Sequence, residues 1–181
     1  MSRPSVIEKV FIYHDLTCVV RFQNLGFRCG YVGIPKTHPL YGKDCSDYLD
    51  IKKEDTKDRE IDGVFQLINA CLDKDDRITI DAYFWCHGGI TYSGGGDNSH
   101  YPMGSDLWWF GFDCGHAGDG KDYDKWFELF PEEVERINTL KRIELECGID
   151  SSDEEPRSLE YTEENCKMLA DQLLHFEKYG N

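Results

Sequence analysis

Three short apolar runs near the start of the chain constrain the fold most strongly. Each run is rich in Val, Ile and aromatic residues, and the runs span residues 6–13, 16–22 and 27–34. β-Branched and aromatic side chains favour an extended backbone, so the runs predict three strands. His14 and Asp15 alone separate the first two runs and predict a tight turn. The chain therefore begins with β-structure.

Two further strands are predicted from later patterns. Apolar and polar residues alternate over 78–85, with the two-residue period of a strand. The short stretch 107–112 is apolar throughout, as expected of a buried central strand. Residues 43–60 are charged and residues 93–105 are rich in glycine, and both segments are interpreted as connections.

Helices are predicted at three places. Apolar residues over 61–72 follow helical spacing. Pro131, followed by two glutamates, favours a helix start, and Gly148 favours the end of that helix. Thr162 is interpreted as the cap of a final helix with one apolar face.

The order of these elements predicts the fold class. Strands first and helices later indicate an α+β fold, with an antiparallel or mixed sheet, helices packed on it and a C-terminal helix. The length suits a single domain over 1–181. Its C-terminal part, from about residue 120, is expected to be acidic and helical.

Charge restricts the partners that this chain can bind. The formal net charge is −15, and residues 113–181 carry 19 acidic and 8 basic side chains. Such a surface repels DNA, RNA and anionic membranes, but attracts a basic protein surface such as a nucleic-acid-binding groove. Asp150, Asp153, Glu154 and Glu155 are predicted to be partner-binding, as phosphate mimics in such a groove. The alternatives are a solvated loop and an acidity that serves solubility.

Cysteine spacing and hydropathy indicate a cytoplasmic protein. The eight cysteines are spread along the chain with no C-x-x-C pair, which disfavours a zinc finger and predicts reduced thiols. Cys18, Cys86 and Cys114 are expected to be buried and free. No stretch reaches the roughly 18 apolar residues of a membrane span, and the N-terminus lacks the apolar core of a signal peptide. We therefore expect no membrane partner.

Two glycine-containing turns that follow apolar stretches carry the candidate polar site. Its members are His87, Thr91, Asp113, His116 and Asp119. Glycine turns at strand ends often present polar side chains on a rigid scaffold, so we expect the two histidines and two aspartates to lie close together. Imidazole with carboxylate suits zinc or manganese, and a His–Asp pair suits general base catalysis. The alternatives are a small-ligand pocket and purely structural turns.

The sequence does not identify catalytic residues. It contains no G-x-S-x-G, G-x-x-x-x-G-K-[ST], H-E-x-x-H or G-x-G-x-x-G motif. Cys114 near His116 does not define a nucleophile–base pair, because such partners are usually distant in sequence. No cofactor is expected, although a divalent metal is possible.

Four sequence blocks resemble a family of small proteins encoded by phages and mobile elements. In chain order the blocks are 31–42, 87–92 (HGGITY), 108–119 (WWFGFDCGHAGD) and 161–166 (YTEENC). A protein of this size and acidity is similar to the phage-encoded anti-CRISPR inhibitors of the type II effector nuclease Cas9. The resemblance implies a counter-defence protein in the bacterial host cytoplasm, which binds Cas9 with its guide RNA and blocks DNA engagement by electrostatic competition. It carries over no Cas9-contacting residue.

Two other functions stay open. One is a metal-assisted hydrolase of a nucleotide-like substrate, acting at the two polar turns. The other is a sponge that sequesters a small signalling molecule without turning it over.

Overall fold

The computed structural model describes residues 5–52, 77–96, 100–148 and 154–179. The helix predicted over 61–72 lies outside these ranges. In chain order the elements are β1 (Ser5–Tyr13), β2 (Leu16–Gln23), β3 (Arg28–Ile34), β4 (Tyr48–Lys52), β5 (Arg77–Thr79), α1 (Ile80–Tyr83), β6 (Tyr92–Gly95), β7 (Trp108–Asp113), α2 (Tyr123–Leu129), α3 (Val134–Glu146) and α4 (Leu159–Tyr179).

Five antiparallel strands form the main sheet, in the order β1-β2-β3-β7-β6, and β4 pairs with β5 in a separate two-stranded sheet. The three strands predicted over 6–34 are confirmed. His14 and Asp15 form the turn between β1 and β2 with φ angles of 45° and 70°, the left-handed conformation of the tightest hairpin turns. A register shift between Ile7 and Lys9 marks a bulge in β1. With helices packed on this sheet, the fold is α+β, as predicted.

Both faces of the sheet are covered, which explains why β3 and β7 are mostly apolar. α4 packs across β2 and β3 and buries Leu169 and Leu173 against one face. Side chains from 101–107 cover the other face, where Tyr31 and Trp109 are buried. Full burial of one large apolar side chain contributes about 1.5–3 kcal/mol. The docked α4 is therefore a major source of stability.

The prediction of one strand over 78–85 is wrong. β5 ends at Thr79, and α1 follows at once, closed by a hydrogen bond from Phe84 N–H to Ile80 C=O (3.1 Å). The side chain of Gln172 in α4 bonds both the N–H (2.9 Å) and the C=O (2.6 Å) of Trp85. The hydrogen bonds of the Trp85 backbone are thus made with a side chain of α4 and not with a neighbouring strand.

Three elements appear where the sequence did not predict them. β4 lies within 43–60, and β6 overlaps 93–105, because the sheet partners β5 and β7 supply the pairing that these polar or glycine-rich segments need. The short helix α2 begins after Asp122, whose side chain accepts a hydrogen bond from Lys125 N–H (3.0 Å).

The predicted helix ends are partly confirmed. Pro131 opens a 3₁₀ turn that leads into α3, which ends before Gly148. The final helix is capped by Ser158 and not by Thr162, since Ser158 Oγ accepts from Tyr161 N–H (3.1 Å). Thr162 is buried one turn later and donates its hydroxyl to Ser158 C=O (2.9 Å). Among the described residues, no helix combines the length and the apolar character needed to cross a bilayer.

His38 joins the segment after β3 to α4. The buried ring accepts Leu40 N–H at Nδ1 (3.1 Å), so its proton is on Nε2 and is donated to Leu173 C=O (3.0 Å). Burial lowers the pKa of His38 below its ordinary value of 6.5, and the bond to Leu173 and the charge of Glu177 offset only part of this effect. The native fold therefore holds His38 neutral.

The cysteines of the described residues are free thiols. Cys18, Cys86 and Cys114 are buried, as predicted. Burial raises the pKa of Cys18 and of Cys114 to about 12, so both stay protonated at neutral pH and behave as small core residues. Cys71 lies outside the described residues.

Candidate metal centre

The turn that carries His87 is shaped by two glycines. Gly88 and Gly89 both have positive φ angles, of 66° and 85°, which glycine adopts without the strain of a side chain. The backbone N–H of His87 donates to Asn165 Oδ1 in α4 (2.9 Å). A Cβ atom at Gly88 would lie 2.6 Å from Nδ1 of His116. Gly88 therefore leaves the space that His116 occupies.

The second turn, over 113–119, follows β7 directly. Cys114 N–H donates to Arg28 C=O (2.9 Å), which extends the pairing with β3 by one bond. Asp119 N–H donates to His116 C=O (3.0 Å), and His116 N–H donates to Asp119 Oδ2 (3.1 Å). These reciprocal bonds close the turn and place the two side chains side by side.

The structure brings His87, His116 and Asp119 together in space. His87 Nε2 lies 2.7 Å from Asp119 Oδ2, and His116 Nδ1 lies 3.6 Å from the same oxygen. One possible ligand atom from each residue lies within 4.8 Å of the other two. The Asp119 side chain is only 2% exposed, whereas that of His116 is 27% exposed. Solvent can therefore reach the group on the side of His116 but not on the side of Asp119.

Asp113 and Thr91 lie at the margin of this group. Asp113 Oδ1 is 3.9 Å from His116 Nδ1 and accepts from Gly115 N–H (3.2 Å). Asp113 Oδ2 accepts from the Thr91 hydroxyl (2.9 Å). Thr91 therefore orients Asp113, and Asp113 faces the open side of the site.

Two residues that were not predicted as site members hold the ligand side chains in place. The Tyr161 hydroxyl lies 2.8 Å from His87 Nδ1, and Arg157 Nε donates to Asp119 Oδ1 (2.7 Å). Both residues come from the segment around the start of α4, far along the chain from His87. The sequence offered one signal for each: Tyr161 opens the block 161–166, and Arg157 is the sole basic residue in the acidic stretch 150–164.

Asp119 is a carboxylate at neutral pH. Burial alone would raise the pKa of Asp119, but hydrogen bonds from His87 and Arg157 outweigh it, and the pKa is lowered. In the same pair, the carboxylate of Asp119 raises the pKa of Arg157. The ion pair is thus present over the physiological pH range.

One ring nitrogen of the group is left without a hydrogen bond. Nδ1 of His116 is buried and has no hydrogen-bond partner among the described residues, since Asp119 Oδ2 at 3.6 Å is beyond that range. A buried polar atom without a partner costs about 1–3 kcal/mol. An ion held between His116 and Asp119 would remove this cost.

The predicted partner-binding stretch is described in part. Glu154 and Glu155 are exposed, and Asp150 and Asp153 lie outside the described residues. The backbone of Glu155 accepts from Gly120 N–H (3.3 Å). The acidic stretch therefore passes directly beside the turn that carries Asp119.

Comparisons with known proteins do not assign the chain to a family. No protein-family model, no curated protein and no solved structure matches it. The chemistry of the centre is therefore inferred from its own residues.

Proposed function

We propose that this protein binds one divalent transition-metal ion, with Zn²⁺ as the best fit. The ligands are His87 Nε2, His116 Nδ1 and Asp119 Oδ2. The observation that carries the proposal is the buried, unbonded Nδ1 of His116 beside a buried carboxylate and a second imidazole. Two imidazoles and one carboxylate suit zinc, whereas Mg²⁺ and Ca²⁺ favour oxygen ligands throughout.

The residues behind the ligands support a metal site. Metal-binding histidines usually donate their other ring N–H to a fixed acceptor, and this bond orients the ring. With Nε2 of His87 on the ion, Nδ1 carries the proton and donates to the Tyr161 hydroxyl, 2.8 Å away. Arg157 holds the second oxygen of Asp119. Two of the three ligands thus have a partner that fixes their position.

Three protein ligands and an open side favour hydrolysis. Catalytic zinc sites commonly have three protein ligands and one water, and the ion lowers the pKa of that water. Asp113, on the open side, would accept the proton of the water as its oxygen bonds to the electrophilic atom of an ester substrate. The ester C–O or P–O bond then breaks, and the leaving oxygen takes the proton back from Asp113. The net reaction adds one water across the bond.

A metal titration tests this proposal. Protein stripped with a chelator should bind one Zn²⁺ per chain by calorimetry, and Co²⁺ in its place should give the visible absorption of a four-coordinate site. Asp113→Asn should keep this stoichiometry, because Asp113 is not a ligand, but should lose hydrolytic activity. Wild-type protein that shows no saturable binding of either ion would overturn the proposal.

We keep counter-defence as a second proposal, in which the protein inhibits a CRISPR effector such as Cas9 with its guide RNA. Its support is the acidity of residues 113–181 and the exposure of Glu154 and Glu155. Exposed carboxylates on one surface would steer association with a basic channel, mainly through the on-rate.

Charge removal tests the second proposal. Glu154→Gln with Glu155→Gln should slow association with the effector at low salt, and the difference should shrink at high salt. The matched control is Glu132→Gln with Glu135→Gln, which removes two exposed charges elsewhere in the acidic part. Equal association rates for the wild type and both double variants would show that Glu154 and Glu155 do not belong to the surface that binds the effector.

A further inference from the structure

We infer that the metal centre recognises a phosphate group of its substrate, with Arg157 as the second anchor beside the ion. The inference rests on the proposed metal site and adds the class of substrate to it. Arg157 contacts the ligand Asp119 through its Nε (2.7 Å). In this inference its guanidinium group helps to select the anion that binds the ion.

Most hydrogen-bond donors of Arg157 remain available. Its Nε–H is used by Asp119 Oδ1 (2.7 Å), and within the described part of the chain its two terminal nitrogens have no hydrogen-bond partner. The side chain as a whole is 37% exposed, so part of it can be reached by a ligand from solution. It presents a planar set of donors next to the ligand cluster.

Arg157 is held in position before any ligand binds. Its guanidinium carbon lies 5.1 Å from the centroid of the Tyr161 ring, and this cation–π contact limits its rotation. Its backbone C=O accepts from Nη1 of the buried Arg28 (3.0 Å). A donor group fixed in this way loses little entropy on binding.

The acidic residues around the site mean that an anion must bind through direct contacts and not through long-range attraction. Nearby carboxylates at Asp113, Glu154 and Glu155 repel anions at a distance, so attraction must come from the ion and the guanidinium group themselves. A phosphate group can place one oxygen on the ion and two on the guanidinium edge. A carboxylate has only two oxygens and cannot fill all three positions. The number of acceptor oxygens therefore favours phosphate over carboxylate.

Phosphate titration of the Co²⁺-loaded protein tests the inference. Inorganic phosphate should change the visible Co²⁺ spectrum of the wild type saturably, and acetate at the same ionic strength should have a much weaker effect. Arg157→Gln removes a support of the ligand Asp119 and should weaken Co²⁺ binding, so the variant is compared after loading at saturating Co²⁺. In that state it should bind phosphate about 10- to 100-fold more weakly than the wild type, the usual effect of losing hydrogen bonds to a charged group. The control Arg142→Gln removes the same charge from an exposed site on α3 and should leave phosphate binding unchanged.

The outcomes separate this inference from the proposed function. A wild-type spectrum that phosphate does not change, or an Arg157→Gln protein that binds phosphate as tightly as the wild type, overturns the inference and leaves the metal site standing. Failure of the wild type to bind Co²⁺ overturns the metal site itself. If Arg157→Gln loses the ion, Arg157→Lys gives the same comparison, because lysine keeps the charge beside Asp119 but lacks the planar donor pair.

Discussion

Replacing Gly88 by alanine should weaken Zn²⁺ binding about 10- to 100-fold, the range seen when the residues that support metal ligands are changed. The new Cβ would stand 2.6 Å from Nδ1 of His116, the atom proposed to bind the ion. The imidazole ring must therefore move, and Nδ1 no longer faces Asp119. Calorimetric titration of the chelator-treated variant with Zn²⁺ measures the loss.

Gly89→Ala is the matched control for this prediction. Gly89 has a similar positive φ angle (85° against 66° for Gly88), so alanine causes comparable backbone strain of about 1–2 kcal/mol at either position. Within the described part of the chain, no atom apart from those of the two adjacent residues lies within 4 Å of a Cβ placed at Gly89, so Zn²⁺ affinity should stay close to that of the wild type. Equal loss of affinity in the two variants would show that strain, and not the position of His116, controls binding.

Acidification should destabilise the fold through His38. The unfolded chain binds a proton at this residue near pH 6.5, whereas the lowered pKa keeps the folded residue neutral to a lower pH. The unfolded state therefore holds more protons in this window, and the free energy of unfolding falls as pH drops, by about 1.4 kcal/mol per pH unit at most. Above pH 6.5 this contribution is absent. Urea denaturation at a series of pH values measures the slope.

The variant His38→Gln isolates this contribution. Glutamine can accept from Leu40 N–H and donate to Leu173 C=O but does not titrate. Its unfolding free energy should depend less steeply on pH below 6.5 than that of the wild type, whatever its absolute stability. Parallel pH profiles for the two proteins would show that His38 is not the titrating group. Groups such as Asp119 act equally in both proteins and cancel in the comparison.

Local patterns predicted the first half of the main sheet well. The runs before Pro35 became β1, β2 and β3 because each is separated from the next by a turn of very few residues. Pairing between neighbours in sequence needs little information from the rest of the chain. The stretch 78–85 shows the opposite case, because the backbone groups of Trp85 at its end are hydrogen-bonded by the distant Gln172 of α4 and not by a neighbouring strand. The alternation of apolar and polar residues in a short stretch does not reveal contacts with residues far away in the sequence.

For the candidate site, too, local patterns identified some residues and missed others that come from distant parts of the chain. His87, His116 and Asp119 could be found because glycine turns after apolar stretches mark where polar side chains are presented. Tyr161 and Arg157 could not be assigned by this reasoning, since they reach the site only when α4 docks on the sheet. The close approach of His116 to Gly88 is likewise a product of packing between distant segments.

The bulge in β1 lies on an exposed edge of the main sheet, where other copies of the chain could add a strand. β1 lies at one edge of the main sheet and exposes Ile7, Val10 and Ile12, and a regular apolar edge of this kind invites strand-by-strand addition of further copies. The register shift between Ile7 and Lys9 interrupts the even spacing of backbone donors and acceptors that an added strand would need. We therefore expect the bulge to disfavour strand addition at the start of this edge, where Ile7 is exposed.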